Sequence, residues 1–176
     1  MEMSRVWAMP NHNTFEIKPI RRFVEKYLAN SRASIDPFAR NSQLATVTND
    51  LNPATSATYH LTAKDFLTLL WNRKVYPDLV IMDPPYNLSQ LKQCYQDVGR
   101  EFAQWDAQYG ASWIEERDII KEILTNDGVV LTFGWNTNGM GKARGFEIVE
   151  IMLVSHGGQH NDTICIAEKR IDAEVV

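Results

Sequence analysis

Residues 80–89 read VIMDPPYNLS. Val80, Ile81 and Met82 form an unbroken apolar run of the kind found in a strand buried on both faces of a parallel sheet, and the run stops on a carboxylate followed by two prolines. Proline offers a carbonyl and no N–H, so a sheet ladder cannot continue through Pro84 and Pro85. The stretch is therefore a buried strand ending in a rigid polar corner.

The same grammar recurs on either side. Residues 15–30 place Ile20, Phe23, Val24, Tyr27 and Leu28 at helical spacing, with Arg21, Arg22, Glu25 and Lys26 opposite. Residues 33–36 and 44–48 read as short strands closed by Asp36-Pro37 and Asn49-Asp50, and 58–61 as a weaker third. A helix is predicted over 63–73, the opening strand over 78–82, a helix over 113–124 and a strand over 128–133. Two final strands, 146–154 and 163–167, flank the turn-rich HGGQHND. Alternating strands and helices predict an α/β, Rossmann-like three-layer fold with a mainly parallel sheet and an antiparallel edge hairpin. Ligands of such sheets bind beyond the carboxyl ends of the strands, where Asp36, Asp50, Asp83 and Trp135 fall.

A chain of 176 residues with 44% hydrophobic residues suits one domain, residues 1–176, with no linker, repeat or low-complexity segment. The net charge of -4 means that any nucleic-acid contact uses a local basic patch, which disfavours a generic DNA coat. Two distant cysteines and no span-length apolar stretch point to a cytoplasmic setting without membrane contact.

Asp83-Pro84-Pro85-Tyr86 suits a planar base bearing an exocyclic amine. A carboxylate accepts one N–H and the Pro84 carbonyl the other, while the prolines fix φ so that both acceptors stay aimed. Tyr86 adds a flat face for stacking, worth roughly 1–3 kcal/mol per base. The alternative is a Pro-Pro turn carrying a surface tyrosine.

This motif resembles the catalytic motif of amino-methyltransferases that use S-adenosylmethionine, above all the DNA adenine-N6 class. The resemblance covers most of the chain. Phe15 and Lys18, in the segment before the first helix, are similar to the part that packs over the cofactor. Asp36, Pro37, Phe38, Ala39 and Arg40 resemble the first cofactor motif; Asn49, Asp50 and Leu51, the acidic strand end that holds ribose hydroxyls; Asp65 and Phe66, the acid that meets the cofactor adenine. The pairing of DPFARN with NDLNP, and of FGWN with HGGQHND, resembles short adenine methyltransferase-like proteins of tailed bacteriophages. The resemblance implies methyl transfer to adenine N6 in DNA, with host cytoplasm as the setting for a phage protein. Cytosine N4, an RNA base, or a silent binding protein on the same fold stay open as alternatives.

Two departures shape further expectations. Arg40, Asn41 and Ser42 stand where the first motif is usually glycine-rich, and the link from Pro37 to Ala45 is too short for a full crossover helix, so that helix is expected to be shortened or missing. No separate target-recognition domain is expected either; residues 87–118 are read as an insert holding Tyr95, Phe102, Trp105, Tyr109 and Trp113. These aromatics either cover the cleft or make a homodimer contact, or else pack a helical cap. In the stretch 139–145, taken as a flexible loop at the active rim, Lys142 and Arg144 join Arg40 as candidate phosphate contacts. His156, His160 and Asp162 are read as a hairpin loop, not a metal site, because glycines separate them and no further ligand completes a set.

Overall fold

The computed structural model describes residues 1–104, 106 and 112–171. Seven strands form a single sheet: β1 Glu2–Trp7, β2 Ser34–Asp36, β3 Val47–Thr48, β4 Leu79–Met82, β5 Val129–Gly134, β6 Phe146–Ser155 and β7 Thr163–Arg170. Their order across the sheet is β1-β6-β7-β5-β4-β2-β3. All pairings are parallel except those of β7 with β5 and β6. Four α-helices are described: α1 Lys18–Leu28, α2 Ala63–Asn72, α3 Leu88–Asp97 and α4 Ile114–Ile123.

β4 explains the layering. All four of its residues are buried, with Leu79 and Ile81 packing on the α1 side and Val80 and Met82 on the side of α2 and α4. The period of two thus feeds two cores at once, which is why the sequence reads as a solid apolar run. On one face Ile20, Phe23 and Val24 of α1 meet Leu131, Phe133 and Val154. On the other, Phe66, Leu67 and Leu70 of α2 join Ile120 and Ile123 of α4.

The ten residues between β2 and β3 contain no helix, as the short link predicts. Asn49 substitutes for one. It is fully buried, donates to the carbonyls of Pro37 and Leu61 and accepts from the Leu61 N–H, so one amide ties three loops together. The expected third strand at 58–61 is reduced to a single bridge from Tyr59 to Asn49. β1 is an addition that the sequence does not announce: its alternation is apolar towards solvent, and it pairs outside the antiparallel hairpin. At the corner of that hairpin His156 contacts the Ala8 carbonyl and the Thr163 hydroxyl, each at 2.9 Å, so its ring joins β1 to β7. No metal-ligating cluster is assembled among the described residues.

Candidate active site

The carboxyl ends of β2 and β4 lie side by side and both carry an aspartate. Ile35 packs on the α2 side and Ile81 on the α1 side, so Asp36 and Asp83, one and two residues further on, both point to the α1 face. Asp83 is half-buried. Its Oδ1 accepts the Tyr86 hydroxyl at 2.6 Å, and the Thr14 hydroxyl stands beside both as a second donor for the carboxylate. Burial pushes the Asp83 carboxyl up, while those two hydrogen bonds and the charge of Arg40 pull it partly back. The same burial drives the Tyr86 phenol far up, so it stays protonated and remains a donor.

The corner after Asp83 is built by its successors. Asn87 caps α3 by accepting the Gln90 N–H at 2.9 Å, and the Gln90 side chain turns back to accept the Tyr86 N–H at 2.6 Å. Those two bonds and the ring constraint of Pro84 and Pro85 leave the turn little freedom. Trp113, held at φ 51° ahead of α4, donates its indole N–H to the Pro85 carbonyl at 3.4 Å and meets Phe38 edge-on at 4.9 Å. The Tyr86 ring packs against Gly134 and lies 5.7 Å from Trp135, forming an aromatic wall.

Asp36 is fully buried. One oxygen accepts the Phe38 N–H at 2.9 Å; the other, Oδ2, has no partner among the described residues. Burial raises its carboxyl well above the ordinary value, and the charges of Asp83 and Asp50 raise it further. Asp50 is engaged with its own loop, accepting the N–H of Arg40 and that of Asn52. Arg40 occupies the expected glycine position and adopts a glycine-like φ of 52°. That conformation costs a non-glycine residue roughly 1–2 kcal/mol. The bond to Asp50 and a 2.8 Å bond from its guanidinium to the His12 carbonyl offset the strain.

The remaining expected cofactor contacts divide. Phe15 packs edge-on against Phe133 at 5.3 Å, Lys18 opens α1 and is exposed, and Leu51 is half-buried beside Asp50. Pro37 and Ala39 are buried and shape the loop. Three of the expected residues have partners of their own in the fold. Asn49 is an internal clasp whose amide is engaged by Pro37 and Leu61. Phe66 is core, fully buried against Tyr59. Asp65 caps its own helix by exchanging bonds with Thr62, because Thr62 and Asp65 have the spacing of a reciprocal cap.

The basic loop is corrected. β6 runs parallel to β5, so Phe146, and the turn Lys142–Arg144 just before it, lie at the amino ends of the strands, across the sheet from Asp83. Nor is the stretch loose. Met140 and Gly141 donate N–H bonds of 2.7 and 2.9 Å to the buried Glu168, and a Cβ on Gly139 would come within 1.8 Å of that carboxylate. Arg144 pairs with Asp118 at 2.7 Å. Of the three candidate cations, Arg40 alone stands at the site's end.

In the insert, Tyr95 and Phe102 pack on one another at 6.0 Å and Arg100 sits over the Tyr95 ring. Trp105 and Tyr109 lie outside the described residues. The Cys94 thiol on α3 is pushed up by partial burial and by the charges of Asp50 and Asp97. Gln90 is the site residue that sequence reasoning missed, and Thr14, in the segment read as packing over the cofactor, stands instead beside the Asp83 carboxylate. The Asn87-x-x-Gln90 spacing was a readable cap signal.

No family model matches the sequence, and no curated protein does either. Solved structures do resemble it. The N-methyltransferase NodS from Bradyrhizobium japonicum aligns at a TM-score of 0.57 and 9% identity, over 93% of this chain and 100% of that one. The SAM-dependent methyltransferase from Agrobacterium tumefaciens aligns at 0.53 and 10%, over 85% and 60%. NSun6 from Pyrococcus horikoshii, solved with SFG, aligns at 0.55 and 10%, over 85% and 51%. The chain thus spans less than two thirds of the length of the latter two. At such identities the likeness establishes the fold: a mixed α/β, Rossmann-like sheet of the kind found in methyltransferases.

Proposed function

We propose that this protein transfers a methyl group from S-adenosylmethionine to an exocyclic amine of a nucleobase, with N6 of adenine in DNA as the first candidate. The observation that carries the reading is the corner at the end of β4, where a half-buried carboxylate, a proline carbonyl and an aromatic wall converge. When bound, the cofactor supplies an electrophilic methyl group on a sulfonium. The residues fit such a cofactor through Asp36, whose buried Oδ2 has no partner among the described residues and would accept from a hydroxyl or ammonium group of it.

In this reading Asp83 and the Pro84 carbonyl accept the two amine N–H groups and aim the nitrogen lone pair. Tyr86 fixes the carboxylate by its hydrogen bond, and with Trp135 forms the wall for a base extruded from the stack. As the amine becomes positive, the Asp83 charge stabilises it. Because burial raises its carboxyl, Asp83 is also a stronger base than an ordinary aspartate and is placed to take the released proton. Transfer should therefore fall as pH drops through that raised value, since a protonated Asp83 no longer accepts.

A second reading has an observation of its own: Asp50, Asn49 and Asp65 are all engaged in internal hydrogen bonds, as in a methyltransferase-fold protein that binds nucleic acid or a partner without catalysis. Calorimetry with S-adenosylmethionine, followed by radiolabelled transfer to adenine-only and cytosine-only DNA and RNA oligonucleotides, separates the two. Cofactor binding with label on adenine in DNA supports the first; label on cytosine or RNA reassigns the substrate; no binding leaves the silent reading.

A further inference from the structure

The sheet is unevenly covered. α1 lies over one face, while α2 and α4 cover the other only around β2, β4 and β5, because the chain between β5 and β6 forms a loop and a one-turn helix. Among the described residues no helix covers the outer part of this second face. It consists of the odd-numbered residues of β1 with Ile151 and Leu153 of β6 and Ile164 of β7, all three only partly buried. Met3, Trp7 and Met9 are 71%, 64% and 69% exposed. The even-numbered side is settled, since Glu2 turns inward to Lys26.

The free edge of β1 has the same parity. The Ala8 N–H bonds to the Ser155 carbonyl, so even-numbered residues direct their backbone groups at β6. Met3, Arg5 and Trp7 then hold theirs outward. Edge strands are ordinarily guarded by proline, a bulge or outward charge. β1 has no proline or bulge, and its single outward charge, Arg5, is held by the Ser155 hydroxyl at 3.1 Å.

We infer that β1 is a self-association edge, pairing antiparallel with β1 of a second copy about a two-fold axis at Val6 to extend the sheet across two molecules. This register faces the outward N–H and C=O groups of Arg5 with those of Trp7 in the second copy. It also sets each guanidinium against an indole, a favourable cation–ring pairing that occurs twice by symmetry. Met3 falls opposite Met9. Centring on Arg5 instead would oppose two guanidiniums, which disfavours that register. The exposed surface of Met3, Trp7 and Met9 is on the order of 450 Å² per copy, more than half of the ~800 Å² per partner that a specific interface buries.

Sedimentation equilibrium from about 5 to about 200 μM tests this at concentrations where a moderate dimer forms. The expected result is a two-copy mass. Arg5→Pro removes an outward N–H while sparing the bonds to β6, and Trp7→Lys sets a cation against Arg5; each should weaken the dimer about tenfold or more with the melting temperature little changed. Val6→Cys in a Cys94→Ser background should form a disulfide between copies, because residues at the axis form a close, non-hydrogen-bonded pair. A wild-type monomer throughout the range overturns the inference. So does a dimer indifferent to both β1 substitutions, or one that Val6→Cys fails to cross-link.

Discussion

The two ends of the sheet treat their buried carboxylates in opposite ways. At the amino end every described carboxylate that enters the protein is answered: Glu168 by two loop N–H groups, and Asp78 by the Ser31 hydroxyl at 2.5 Å and by the N–H groups of Arg32 and Ala33. The Arg170 guanidinium, lying across the Phe146 ring, closes the end of α4 on the carbonyls of Lys121 and Leu124, although its Nε has no partner among the described residues. At the carboxyl end Asp36 keeps an oxygen without a partner among the described residues, and Asp83 is raised by burial. Satisfied polar groups stabilise a fold; unsatisfied ones cost stability and persist where a ligand completes them. The contrast marks one end as scaffold and the other as site.

The largest effect that sharpens this contrast is expected from Asp83→Ala. Methyl transfer should fall by about a thousandfold or more while the melting temperature holds, since the group stabilises developing charge and contributes little packing. Activity near wild type would remove Asp83 from the mechanism. Glu168→Ala should do the reverse, costing about 2–4 kcal/mol in denaturant unfolding because two buried N–H groups lose their acceptor. Unchanged stability would mean that the amino end is not the scaffold.

Next in size is Asp36→Asn, expected to stabilise the protein by about 1 kcal/mol at neutral pH. The sign follows from the raised carboxyl. The folded state holds the Asp36 proton more tightly than the unfolded chain, so its stability contribution is present below the ordinary value of 3.8 and is lost as pH rises through the raised value. The gain from asparagine should therefore vanish in acid. Asp78 titrates the other way: burial alone would raise it, but its three donors outweigh that and hold it below 3.8, so its contribution is lost as pH falls through the lowered value. Melting curves of Asp36→Asn and Asp78→Asn against pH should diverge from wild type on opposite sides. Divergence on the same side would break the contrast.

The smallest effect is a null at the amino end. Replacing Lys142 and Arg144 together with alanine should change nucleic-acid affinity less than about twofold, whereas Arg40→Gly should lower the salt slope by about one contact. A large loss from the double substitution would show that nucleic acid reaches the scaffold end.

Much of the fold was legible because burial on two faces writes itself as composition. The apolar runs of β4 and β5 and the helical stripe of α1 are periodic, and periodicity is local. The link too short for a helix was legible as a length. β1 was not, since its alternation turns methionine and tryptophan to solvent and so mimics no buried strand. At the site, the Asp83-Pro84-Pro85-Tyr86 corner could be read because proline restricts its own backbone. Asn49, Asp65 and Phe66 could not be assigned, because an amide, an acid and a phenyl ring look alike whether they face a cleft, a helix cap or a core.

By itself, then, the sequence determined the order of elements, the double-sided burial of the central strands and the chemistry at the end of β4, all of which follow from φ restriction and from spacing along the chain. Only the tertiary structure decided which carboxylates are answered, that Lys142 and Arg144 stand at the far end from Asp83, and that Thr14 reaches both Asp83 and Tyr86. Hydrogen-bond partners and strand polarity are relations between segments remote in the chain, and no local pattern of residues encodes them.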